Sequence, residues 1–175
     1  AERDGIRPGG LSDAACFSYY ATKSITSGEG GAVLTRNEAL ARRVRLMRHH
    51  GVDKSAAERH GAKYQHWDMP LFGWKYNMDN IQAALLIGQL AKIDEFWAAR
   101  HHLRMLYTRE LKGLEGCTIL RALPGSRHGC HLMPVFVPAD TRDETLWHLQ
   151  TSGIGVGVHY RPVHLHSIYR ERLGT

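Results

Sequence analysis

The sequence predicts an α/β fold, on three observations. Short apolar, β-prone runs at 16–20 and 32–35 flank a lysine and a glycine cluster. Apolar residues recur at helical spacing from 38 to 48 and again from 81 to 111. Residues 131–160 read as strand, helix, strand. A chain of 175 residues with 43% apolar content is long enough to bury a core.

Taken in order, Phe17–Tyr20 and Ala32–Thr35 read as two short strands of a buried sheet, with Cys16 buried among β-formers. Asn37 is placed to cap a helix over Glu38–Arg48. Leu40, Val44 and Met47 form its apolar stripe, and the arginines of Arg36 to Arg48 fall on the complementary face. The run from His50 to Lys75 lacks periodicity and contains Gly51, Gly61, Pro70 and Gly73, so it reads as a long loop. Asp79 followed by Gln82 forms a capping-box pattern. It opens one long helix that is apolar nearly all round from Ile81 to Leu90, which predicts burial on both sides. A single stripe (Ile93, Trp97, Leu103, Leu106, Tyr107, Leu111) continues it. A strand is expected within His131–Val137, a helix over Arg142–Thr151 closed by Gly153, and a last strand over Ile154–Tyr160. A domain boundary falls near Phe96, giving domains 1–95 and 96–175.

The chemistry centres on Lys23. A strand runs into this lysine, and a loop holding Gly28, Gly30 and Gly31 follows it. A lysine amine attacks a carbonyl only in its neutral form, which desolvation and neighbouring cations favour. Glycines let backbone approach a ligand closely. A lone lysine is ordinarily a solvated surface residue. The surrounding segment, Phe17-Ser18-Tyr19-Tyr20-Ala21-Thr22-Lys23-Ser24-Ile25-Thr26-Ser27-Gly28-Glu29-Gly30-Gly31, is far more specific. Two further segments share that specificity: Gly73-Trp74-Lys75-Tyr76-Asn77-Met78-Asp79-Asn80-Ile81-Gln82, continued by Gly88-Gln89-Leu90, and Gly153-Ile154-Gly155-Val156-Gly157-Val158-His159-Tyr160-Arg161-Pro162-Val163-His164.

These segments, in this order, resemble the DegT–DnrJ–StrS family of pyridoxal-phosphate sugar aminotransferases. The resemblance implies the fold type I, aspartate aminotransferase-like architecture. In it, Lys23 carries pyridoxal 5'-phosphate as a Schiff base and moves protons once released. It implies that Ser18 bonds the cofactor phosphate, and that Lys75 or Asn77 reaches across a homodimer to the partner's cofactor phosphate. His159, Tyr160 and Arg161 lie where the family contacts substrate; strand alternation puts His159 and Arg161 on one face and Tyr160 on the other. The implied substrates are a nucleotide-diphosphate keto sugar and an amino-acid donor such as glutamate. Family members carry a comparable stretch ahead of the lysine, whereas here twenty-two residues precede it. The expectation is a C-terminal portion cut at both ends: the end of the large domain, an incomplete small domain, and no activity on its own.

Composition weighs the alternatives. A net charge of +6 and a pI near 9.4 point to anionic partners. A basic nucleic-acid-binding module is therefore the rival reading, but aromatic residues are not interleaved with the basic ones as stacking platforms require. A sugar dehydratase relative carries histidine in place of the lysine, which Lys23 opposes. Three cysteines argue against a disulfide framework, and twelve histidines, including His164 and His166, lack the companions of a zinc site. No apolar run reaches the roughly 20 residues of a membrane span, and the expectation is a soluble, cytoplasmic protein.

Overall fold

The computed structural model describes residues 1–61 and 63–174. In chain order the elements are β1 (Glu2–Arg3), β2 (Ala15–Ser18), β3 (Gly31–Leu34), α1 (Glu38–Met47), α2 (Ala56–Arg59), α3 (Asn80–Ala91), α4 (Ile93–Glu110), β4 (Thr118–Ile119), β5 (Ser126–Arg127), β6 (Val135–Phe136), α5 (Arg142–Thr151), a 3₁₀ turn (Val163–Leu165) and α6 (Ser167–Leu173). They divide into two compact units: Ala1–Glu110 with Arg121–Met133, and Leu111–Leu120 with Pro134–Thr175. Phe96, near which the sequence suggests a boundary, lies inside α4.

In the first unit, β2 and β3 pair antiparallel, Ala15 opposite Leu34 and Ser18 opposite Gly31. The strands begin two residues and one residue ahead of the expected Phe17–Tyr20 and Ala32–Thr35; among the described residues the sheet has only these two strands, and Cys16, Phe17 and Val33 are exposed. A buried sheet needs layers on both faces, and among the described residues none covers this one. The Asn37 side chain accepts a hydrogen bond from the Leu40 N–H at 3.0 Å, satisfying an orphan donor at the start of α1. Leu40, Val44 and Met47 turn inward while Arg42, Arg43, Arg45 and Arg48 are exposed.

The stretch after α1 is anchored rather than loose. The N–H groups of Trp74 and Tyr76 donate to the carbonyls of Met47 (2.6 Å) and Arg48 (2.8 Å), and the His50 N–H donates to Trp74 at 2.9 Å. At the loop's base, Asp53 and Asp68 are joined by two bonds, Asp53 N–H to the Asp68 carbonyl and Asp68 N–H to the Asp53 carboxylate. Ser55 and Glu58 form a reciprocal capping box that starts α2: the Ser55 N–H donates to Glu58 Oε2 at 2.7 Å and the Glu58 N–H to Ser55 Oγ at 3.3 Å. Hydrogen bonding to the carboxyl from the Ser55 side chain, and next from its backbone N–H, holds Glu58 below its ordinary value.

The expected single long helix is two. Lys92, at φ −103°, separates α3 from α4. Asp79 caps α3 as predicted, accepting from the Gln82 N–H at 2.8 Å. Burial all round α3 is not observed: Leu86 is 8% exposed, but Ile81, Leu85, Ile87 and Leu90 face solvent. The apolar pattern specifies surface to be covered, and among its hydrophobic side chains the described residues bury only Leu86.

On α4, Trp97 stacks on His101 at 4.9 Å, carries the Arg127 guanidinium 4.0 Å over its ring, and donates from Nε1 to the His128 carbonyl at 2.8 Å. β5 is held by pairing with β1, Glu2 opposite Arg127. His128 Nδ1 accepts from the Cys130 N–H at 2.9 Å, which requires that nitrogen unprotonated. Burial, and next the Arg104 guanidinium, push His128 below its ordinary value. Because the unfolded chain binds this proton more readily, stability is present above pH 6.5 and is lost as pH falls through and below that value. A His128→Asn variant, whose amide oxygen still accepts, is expected to flatten this acid-side loss. Urea melts at neutral and mildly acidic pH check it, and equal slopes for the two proteins would remove His128 from the account.

The second unit pairs β4 with β6, Thr118 opposite Phe136 and Ile119 opposite Val135. α5 spans its predicted residues and ends as expected at Gly153, where N–H groups of Gly153 and Ile154 return to the carbonyls of Gln150 and Leu149. The strand predicted over Ile154–Tyr160 is not there. A strand exists only with a partner ladder for its N–H and C=O groups, and among the described residues none lies alongside. The two-faced alternation of His159, Tyr160 and Arg161 falls with it.

Candidate active site

β2 delivers the chain to a tight turn in which the Lys23 N–H donates to the Tyr20 carbonyl at 2.9 Å. Lys23 is half-buried. The loop beyond it closes back on Tyr19: the Tyr19 carbonyl accepts from the Ser27 N–H and the Thr26 hydroxyl, each at 3.0 Å, while the Tyr19 N–H donates to Gly30 at 2.8 Å. Ser27, 3% exposed, donates its hydroxyl to the Glu29 carbonyl at 2.8 Å. The Glu29 backbone carbonyl thus helps order the loop.

Two helices fix this loop from outside. The Thr26 N–H donates to Gln89 Oε1 at 3.4 Å from α3, and Arg100 Nη1 on α4 donates to the Ser24 carbonyl at 3.0 Å. Neither residue stands among the sequence-predicted site residues. Gln89 carried a signal, as one of two polar side chains inside the apolar stretch 81–91; Arg100, one of several arginines on its helix, carried none.

Ser18 ends β2, exposed, and its Oγ accepts from the Tyr20 N–H at 3.3 Å. Ser18 and Lys23 therefore belong to one strand-and-turn segment. Lys75 and Asn77 also meet, Lys75 Nζ donating to Asn77 Oδ1. Their segment lies against the lysine loop, because Gly30, at φ +135°, faces Met78 so closely that a Cβ there would collide with the Met78 methyl. In the second unit the rings of His159 and Tyr160 meet edge to face at 4.6 Å. Arg161 lines a cleft of about 520 Å³ with Leu165, His166 and Arg170.

The first-unit donor set suits an aldehyde cofactor bearing a phosphate. It presents an amine on a braced turn, a hydroxyl at the strand end, a second ammonium on the segment that meets the loop at Met78, and a loop with open space over Gly28. Among the described residues no three of His, Cys, Asp and Glu gather where a metal could sit, and no helix is long and apolar enough to cross a membrane.

The sequence profile of the DegT/DnrJ/EryC1/StrS aminotransferase family matches residues 1–175. Among curated proteins, the chain is 35% identical to the uncharacterized protein MJ1066 of Methanocaldococcus jannaschii, over 99% of this chain and 46% of that protein. It is 34% identical to the spore coat polysaccharide biosynthesis protein SpsC of Bacillus subtilis, over 95% of this chain and 44% of SpsC. Among solved structures, DesV of S. venezuelae, crystallised with a ketimine intermediate, superposes with a TM-score of 0.84 at 32% identity, over 97% of this chain and 43% of DesV. The chain thus spans less than half the length of these relatives, and its architecture is part of a fold type I α/β structure. Family profile, sequence relatives and superposition agree: the chain belongs to the DegT/DnrJ/EryC1/StrS aminotransferase family.

Proposed function

We propose that this chain forms the lysine-bearing portion of a pyridoxal-phosphate-dependent aminotransferase that moves an amino group from an amino acid, most simply glutamate, to a nucleotide-linked keto sugar. The observation that carries the reading is the braced turn at Lys23, with Ser18 beside it and the Lys75–Asn77 segment against its loop. When bound, pyridoxal phosphate supplies an aldehyde to capture amines and a ring that absorbs an electron pair. Lys23 would supply the amine that holds it and, when free, a base able to carry a proton. The Ser18 hydroxyl donates to the phosphate, and Lys75 or Asn77 meets a phosphate from the partner subunit of a homodimer. The exposed apolar side chains of α3, Ile81, Leu85, Ile87 and Leu90, support burial against a second surface in that assembly. His159, Tyr160 and Arg161 receive the sugar substrate, and the enzyme works in the cytoplasm.

Borohydride treatment of the protein in the presence of pyridoxal phosphate, followed by peptide mapping, is expected to place the reduced adduct on Lys23. Sedimentation of the same full-length preparation is expected to give two protomers. An adduct concentrated on another lysine, with Lys23 unmodified, overturns the assignment.

A further inference from the structure

The loop after Lys23 is held in two different ways. From Thr26 onward it is fastened to itself and to the end of β2: the Tyr19 carbonyl takes the Ser27 N–H and the Thr26 hydroxyl, and the Gly28 N–H donates to Thr26 Oγ1 at 2.9 Å. Ser24 and Ile25, directly after the lysine, lie outside that network. Among the described residues they have one hydrogen bond between them, from Arg100 Nη1 to the Ser24 carbonyl at 3.0 Å, reaching across 76 positions in the chain. Arg100 is half-buried on α4, with its guanidinium 6.0 Å from the ring of Phe96 one turn earlier. No carboxylate pairs with it among the described residues. Its charge is therefore directed at a backbone carbonyl, and a charge-assisted bond of this kind is roughly twice as strong as a neutral one.

That contact completes a clamp around one residue. On its upstream side Lys23 is tied to Tyr20 by its own N–H, and on its downstream side the carbonyl of the next residue is tied to α4. A lysine side chain is a flexible four-carbon stem, so the backbone is where its aim can be fixed. Displacing a reacting group by about 1 Å costs on the order of 100-fold in rate. We propose that Arg100 is a positioning residue for Lys23: by holding the Ser24 carbonyl, it presents the Lys23 amine to an incoming aldehyde from one direction. Gln89, whose Oε1 accepts from the Thr26 N–H at 3.4 Å, steadies the far side of the same short stretch. Arg100 touches neither cofactor nor substrate in this assignment and acts only through the backbone. The chemical consequence at Lys23 rests on the proposed function; the bracing of the turn does not.

The test uses the full-length enzyme stripped of pyridoxal phosphate. Cofactor is added back, adducts are trapped with borohydride at intervals, and the Lys23 peptide is counted against that of Lys112, an exposed lysine of the second unit. Arg100→Met keeps an apolar stem beside Phe96 without a donor. It is expected to slow adduct formation at Lys23 about tenfold or more, with Lys112 unchanged. Arg100→Lys, still a charged donor, is expected to recover most of the rate. In the stripped protein the Lys23 amide should exchange about tenfold faster in Arg100→Met, while the Leu40 amide at the start of α1 keeps its parental rate. A parental Lys23 rate in Arg100→Met, equal slowing at Lys112, no recovery in Arg100→Lys, or unchanged protection of the Lys23 amide overturns the assignment. If Arg100→Met fails to fold, Arg100→Gln, whose neutral amide lacks the charge-assisted bond, carries the same comparison. An adduct on another lysine in the parent removes the proposed function, and the exchange rates still decide whether Arg100 braces the turn.

Discussion

Replacing Gly73 with alanine is expected to unfasten the Leu71–Asn77 segment from the end of α1. A Cβ at this position would meet the Gly51 nitrogen, the His50 carbonyl carbon at 2.5 Å and the Met47 carbonyl oxygen at 2.8 Å. All are backbone atoms, and none can swing aside as a flexible side chain could. Overpacking of this kind costs about 1–3 kcal/mol, and more when only backbone can yield. The strain falls on the bonds that hold the segment: Trp74 N–H to Met47, His50 N–H to Trp74, and Tyr76 N–H to Arg48. Exchange protection of those three amides should drop together. Because Lys75 and Asn77 ride on the segment, activity of the full-length enzyme should fall further than stability alone explains. Gly113→Ala is the control, since Gly113 has φ +79° but open space where its Cβ would go; it should cost only the roughly 1–2 kcal/mol of a left-handed residue. A Gly73→Ala protein with parental melting and protected amides would show that the close approach is not what fixes the segment.

The contrast between these glycines shows what sequence reveals and what it withholds. Gly73 and Gly113 look alike in the chain, and only the backbone passing Gly73 separates them. Signals that act within a few residues were legible. Asn37 and Asp79 cap the helices they precede, and Gly153 ends α5, because a cap satisfies backbone groups two or three residues away. The strand, turn and loop that carry Ser18 and Lys23 could be read for the same reason. Signals that act across the chain were not. Gln89 and Arg100 reach the lysine loop over 63 and 76 residues, and β1 finds β5 across most of the first unit. Apolar patterning in 81–90 and 154–160 marked surface that wants a neighbour without saying whether this chain holds that neighbour. That is why a helix expected to be buried is exposed, and a run expected to be a strand is irregular. The break at Lys92 had no glycine or proline to announce it.

The 175-residue chain by itself is expected to hold pyridoxal phosphate weakly and to catalyse no measurable transamination. The residues assigned to the cofactor supply an amine from Lys23, a hydroxyl from Ser18, and the Lys75–Asn77 pair. A working site also needs a flat face against the ring and a carboxylate at the ring nitrogen, which keeps it protonated and able to absorb electrons. None of the assigned residues provides either. The charge-assisted contact at the ring nitrogen is on the scale of about 1.5–3 kcal/mol, so its loss weakens capture by about one to two orders of magnitude. Lys23 is braced by its turn, yet it is only half-buried, so the amine is incompletely enclosed. The sheet adds a second handicap: among the described residues β2 and β3 form a two-strand ladder, and such ladders are marginal alone and prone to pair with other chains. Absorbance titration with pyridoxal phosphate, paired with a glutamate-dependent transamination assay, measures both halves of the expectation. A shallow, unsaturated titration that returns to baseline on dialysis is the expected result. Saturation at micromolar cofactor with turnover would mean that the ring-stacking and nitrogen-pairing groups lie within these residues after all, and the search for them would begin around α3 and α4, whose Gln89 and Arg100 bond the lysine loop.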